Sequence, residues 1–152
     1  MRPGVQFQDQ AHTIKGSLEL IVRRSGRVVL HDKDRNLIVN VARQNMARLL
    51  TGEGSNRIIN RIAVGTNGAP PSPTDTAITN AFMKPITSFS YPTPTSARFN
   101  FLIKENEANG MAIMEFGLIA ADDSLFARRT RGGKVIEKED DLEIEGFWTI
   151  LF

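Results

Sequence analysis

The chain of 152 residues has no cysteine, two histidines, one tryptophan and one tyrosine. Without cysteine there is no disulfide framework, no thiolate zinc site and no thiol nucleophile. His12 and His31 alone leave little for a histidine-built metal centre or a catalytic triad. No apolar run approaches the roughly 18 residues of a helical membrane span, and the polar start lacks the apolar stretch of a secretory signal. No Gly-x-Ser-x-Gly elbow is present. Asp122-Asp123 and Asp140-Asp141 are sequence neighbours, which in a strand would point to opposite faces and suit paired acid–base work poorly. An enzyme is therefore not expected, nor is a cofactor, a bound metal, a membrane partner or a small-molecule substrate.

What is present is a chain of ordinary globular balance, 41% apolar and 24% charged, long enough for one domain with a real core. The net charge of +2 conceals an asymmetry. Residues 1–104 hold fourteen Lys/Arg against six Asp/Glu, whereas residues 105–152 hold five against eleven. Such a split can steer unlike surfaces together.

Residues 1–13, polar and carrying Pro3, Gly4 and three glutamines, read as an extended arm of the kind that is frayed or donated to a neighbour. Residues 14–152 read as one domain. Leu18, Leu20 and Val22 alternate, Ser25-Gly26 marks a turn, and Val28 to Leu30 returns, which predicts a hairpin. Ile38, Val41, Ala42, Met46, Leu49 and Leu50 recur at helical spacing and predict one amphipathic helix near 38–50. Asn36 or Asn40 would cap it, Gly52 would end it, and Arg43, Gln44, Asn45 and Arg48 would face outward. Further strands are expected over 58–64, 84–91, 97–103, 111–120, 125–127 and 142–152, with turns at Ala108-Asn109-Gly110, Asp122-Asp123 and Arg131 to Lys134. The fold class is thus mainly β: an antiparallel β-sandwich of about eight strands with one helix packed on it.

Three segments have the composition of functional motifs. Asp32-Lys-Asp-Arg-Asn36 has the oxygen spacing of a calcium loop, but Leu37 replaces the required glycine and Arg43 the bidentate glutamate, so a polar turn before the helix is the better reading. Gly65-Thr-Asn-Gly68 follows a strand as phosphate loops do, yet lacks their Lys-Ser/Thr; its glycines are expected to supply positive φ angles. The proline loop behind it, with Pro70, Pro71 and Pro73, is long enough to be a contact surface. Arg128, Arg129, Arg131 and Lys134 form the densest basic cluster. No aromatic is interleaved to stack bases, so nucleic acid is not the expected partner. The cluster suits pairing with an acidic surface, the chain's own or a neighbour's, such as Asp140 and Asp141, through a contact that salt would weaken.

Two segments carry a resemblance. One runs from Asn36 to Leu50 and on through Val64-Gly-Thr-Asn-Gly-Ala-Pro-Pro-Ser-Pro-Thr-Asp75. The other joins Glu115-Phe-Gly-Leu118 and Leu125-Phe-Ala-Arg128 to Phe147-Trp-Thr-Ile-Leu-Phe152. Together they resemble a diffuse group of small structural proteins of tailed bacteriophages, found around tail fibres and baseplates. Asn67 before Gly68, and Asp122-Asp123-Ser124 in place of an Asp-Gly turn, depart from the group's pattern. The resemblance implies a non-enzymatic virion protein of the tail or baseplate, made in the host cytoplasm, that assembles with other virion proteins and with copies of itself. A capsid decoration or head-fibre subunit, or a carbohydrate- or receptor-binding module, is the alternative. The residues expected at protein interfaces are Arg128, Arg129, Arg131, Lys134, Asp140, Asp141, Pro70, Pro71 and Pro73.

Overall fold

The computed structural model describes residues 14–152; the arm expected over 1–13 lies outside them. Eleven strands and one α-helix follow in chain order. They are β1 (Lys15–Arg24), β2 (Arg27–Ile38), α1 (Asn40–Leu50), β3 (Ile59–Gly65), β4 (Phe82–Pro85), β5 (Ser88–Ser90), β6 (Ser96–Ile103), β7 (Ala112–Ile113), β8 (Glu115–Ala120), β9 (Leu125–Thr130), β10 (Ile136–Glu137) and β11 (Leu142–Leu151). The fold is mainly β and antiparallel with one helix packed on the sheet, as the patterning predicts. Three strands beyond the expected eight arise because residues 84–91 divide into β4 and β5, residues 111–120 divide into β7 and β8, and β10 is too short to show a period.

Nine strands form one sheet in the order β4-β3-β8-β9-β2-β1-β11-β6-β5, and β7 pairs with β10 in a separate ribbon. Twist alone would curl so wide a sheet, and the chain curls it further into a half-barrel. The two edge strands β4 and β5 are consecutive in sequence, joined only by Ile86 and Thr87. Ile86 N–H donates to Asn60 O in β3, and Thr87 N–H donates to Asn100 O in β6. The two leaves meet where β2 and β9 share only the pairs Leu37–Arg128 and Ile38–Ala127. Between the leaves lies the main core: Leu18, Leu20 and Val22 of β1, Phe101 of β6 and Trp148 of β11 cluster with Ile62 of β3, Phe116 and Leu118 of β8, and Phe126 of β9. The opposite faces of β3 and β8 are covered too, by Val39, Ile78 and Leu125 against Ala63 and Ile119. That double burial explains the near-continuous apolar run of β8.

Several local expectations are corrected. Ile38 belongs to β2, and the helix begins at Asn40 with no side-chain cap. Asn36 instead accepts a hydrogen bond from Trp148 Nε1 at 2.9 Å. The first helical turn is held by backbone acceptors: Val39 N–H donates to Phe126 O and Asn40 N–H to Pro73 O. The far end agrees with expectation, Gly52 N–H donating to Leu49 O. Residues 32–36 are strand rather than turn, because they continue the β1–β2 register. Gly65 does not have the expected positive φ; a Cβ there would lie 2.5 Å from Thr79 O and 2.6 Å from Glu115 Oε1, so it is required by close approach. Ala108-Asn109-Gly110 turns the chain between β6 and β7, which do not pair. Asp122-Asp123 does close a hairpin, between β8 and β9.

Candidate interaction surface

Helix α1 has two stripes. Ala42 and Asn45, three residues apart, are fully buried against the sheet. Asn45 was expected to face solvent; its amide instead donates to Ser124 Oγ at 2.7 Å and its carbonyl accepts from Arg57 Nη1 at 2.8 Å. A polar residue can occupy the buried stripe because both ends of its amide are satisfied. Asp122 completes the network. Its carboxyl is held below the ordinary carboxylate range first by the Ser124 hydroxyl, 2.5 Å away, and further by Arg57.

The second stripe is apolar and open. Leu49 and Leu50 are 40% and 89% exposed, which is unusual for leucines on a helix that has a sheet to pack against. Facing Leu49 across a groove stand Ile58, Phe89, Tyr91 and Phe152, all more than half exposed. The Phe89 and Tyr91 rings meet edge-on, centroids 6.0 Å apart. The groove holds about 360 Å³ between α1 and the β5–β6 edge. A second hollow of about 570 Å³ continues past the helix; it shares Met46, Leu49 and Phe152 with the first and is lined also by Leu50 and Ile14. β5 is also an outer strand, with a partner on one side only among the described residues. Chemically, this surface can desolvate apolar side chains and pair with an extended backbone.

The basic cluster sits elsewhere and is largely consumed within the chain. Arg128 is buried. Its Nε donates to Glu115 Oε2 at 2.7 Å, Nη1 to Asp75 Oδ2 at 3.0 Å and Nη2 to Asn67 O at 2.9 Å. Arg129, also buried, donates to Leu18 O and to Asp32, and Arg131 reaches the same Asp32 oxygen at 3.2 Å. Alternation along β9 sends Arg128 and Arg129 to opposite faces, and each face holds a waiting carboxylate. The expectation that Arg128 and Arg129 meet a neighbour's Asp140 and Asp141 is therefore corrected: they are internal, and Asp141 pairs with Arg24 at 2.7 Å. Lys134 remains exposed on a polar cleft with Arg131 and Asp34, and Asp140 remains exposed.

The same network pins the proline loop. Glu115 Oε1 accepts the N–H groups of Asn67 and Thr79, and Asp75 accepts that of Ser72. Pro70 and Pro73 are thereby held out in solvent, while Pro71 is half-buried. Sequence reasoning missed Glu115 as the organiser of this loop. The available signal was a single acid inside an otherwise apolar strand, a residue type that is buried only when paired. Among the described residues no cluster of three or more His, Asp or Glu side chains could hold a metal ion, and no helix is long and apolar enough to cross a membrane. Compared with protein families, curated proteins and solved structures, the chain matches none.

Proposed function

We propose that this chain is a non-enzymatic assembly subunit, a structural protein of a tailed-phage particle that works in the tail or baseplate region. The observation that carries the proposal is the apolar surface of Leu49, Leu50, Ile58, Phe89, Tyr91 and Phe152 beside a strand edge that has no partner among the described residues. Monomeric soluble proteins seldom leave apolar surface contiguous on this scale, and where they do it marks a binding site. The resemblance of residues 36–152 to small virion proteins supports the same reading. Neighbouring subunits would cover the groove, while the pinned proline loop offers a second, stiff contact.

The exposed Phe89–Tyr91 pair favours one other reading, a carbohydrate- or receptor-binding module, since aromatic faces are what sugars stack on. Against it, the groove wall is apolar and, among the described residues, Arg57 is its only charged side chain, leaving few donors and acceptors for hydroxyl groups.

Electron cryo-microscopy of purified particles, with this chain's density traced by its half-barrel, tests the proposal. Density at the baseplate or fibre root is the expected result. Density on the capsid would move the subunit to a decoration or head-fibre role, and absence from the particle would overturn the virion reading.

A further inference from the structure

We infer that the groove between α1 and β5, together with the hollow that continues it past the helix along Leu50, is the docking site for the N-terminal segment of a second copy of this chain, with Val5 and Phe7 as the inserted side chains. The inference rests on the assembly reading and names its partner. Three observations bear on the occupant. First, Ile14 lines the apolar hollow, and thirteen residues precede it in the sequence. Fully extended they reach at most about 45 Å, against about 16 Å for the eleven-residue helix, enough to span the whole groove on an adjoining subunit. Second, Val5 and Phe7 are two residues apart between Gln6 and Gln8. In an extended chain they share one face and the glutamines the other. Such a strand can turn its apolar face to Leu49, Leu50 and Phe152 and its polar face to water. Third, β5 has, among the described residues, no strand partner on its outer edge beside the groove, so the incoming segment gains main-chain hydrogen bonds as well as burial. A subunit that filled its own groove would cover the surface through which the assembly reading has it meet neighbours, whereas exchange between copies keeps every groove filled in the oligomer.

The absence of cysteine makes the test direct. Phe7→Cys and Leu50→Cys chains, each carrying one thiol and a different tag, are mixed and oxidised. Disulfide-linked pairs between the two tags are expected at least five-fold above a control mixture of Phe7→Cys with Lys134→Cys. Sedimentation equilibrium of the full chain supplies the second readout. Phe7→Ser and Leu50→Ser are each expected to weaken self-association roughly ten-fold or more, the scale of one withdrawn large apolar side chain. Circular dichroism should be unchanged, since Leu50 lies almost wholly in solvent. Four outcomes would overturn the inference: no excess of mixed disulfide, a chain that stays monomeric at every concentration, a disulfide that forms only within the chain when both cysteines are placed on it, or loss of association by Leu50→Ser but not by Phe7→Ser. In the last case the groove still assembles subunits and the functional reading stands. That reading falls separately, by absence of the chain from particles.

Discussion

Glu115 and Arg128 bring opposite charges to a place that water does not reach, their side chains 0% and 2% exposed and 2.7 Å apart. Each is satisfied on more than one atom, so removing one leaves the other charged and only partly paired. For Arg128→Met the expected loss of stability is about 3–5 kcal/mol, read in urea unfolding as a lower midpoint at an unchanged slope. By contrast, Arg48 and Glu53 lie 3.9 Å apart and largely in water, and breaking that contact should change stability by less than about 0.5 kcal/mol. Two other carboxyls contribute to the acid response. The Lys84 ammonium holds Glu107 below its ordinary value of 4.5, and the Ser124 hydroxyl holds Asp122 below 3.8. A depressed folded value means that the stabilisation is complete above the ordinary value and is lost as pH falls through the folded one. Thermal midpoints should therefore fall on acidification below about pH 4.5, and more shallowly in the Glu107→Gln, Asp122→Asn double variant. An equally steep fall in that variant would assign the acid response to other groups.

At the scale of elements, β6 and β11 pack with almost no clearance. Gly146 stands opposite Phe101, and a Cβ at Gly146 would strike the Phe101 ring. Gly146→Ala is expected to cost about 1–3 kcal/mol by overpacking. Adding Phe101→Leu should return part of that loss, as thermal unfolding would show. No rescue would place the strain in the backbone instead. Pairings of this kind separate what the sequence makes legible from what it does not. The β1–β2 hairpin, β6 and β11 are visible because Leu18, Leu20 and Val22, or Ala97, Phe99 and Phe101, alternate over enough residues to fix a face. β8 is visible as an apolar run, but its partner for Glu115 is thirteen residues away and arrives only when β9 folds back. β10 has two residues and no period. The helix start is misplaced because Ile38 fits both the helical stripe and the strand alternation, and pairing with Ala127 decides for the strand. The groove is the least legible feature. Its walls come from α1, β5 and the end of β11, which only the curl of the sheet brings together.

Charge and apolar surface make opposite claims about how whole molecules meet, and ionic strength separates them. The sequence, +8 over residues 1–104 and −6 over 105–152, suggests association between basic and acidic parts. Folding removes much of that possibility, because Arg128, Arg129 and Arg131 are neutralised by Glu115, Asp75 and Asp32 inside the chain. What is left open in the groove between α1 and β5 is mostly apolar. Contacts between exposed charges are screened over about 10 Å at 0.1 M salt and about 3 Å at 1 M, so an ionic interface weakens steeply over that range. Burial of Leu49, Leu50 and Phe152 does not, and sulfate, which is excluded from protein surfaces, strengthens it. Sedimentation velocity between 0.05 and about 1 M sodium chloride should accordingly show self-association changing less than about three-fold, and sodium sulfate should increase it. If association instead collapsed with added sodium chloride, Lys134 and Asp140 would be the residues holding neighbours together, and the apolar groove would have to be filled by something other than a neighbouring subunit.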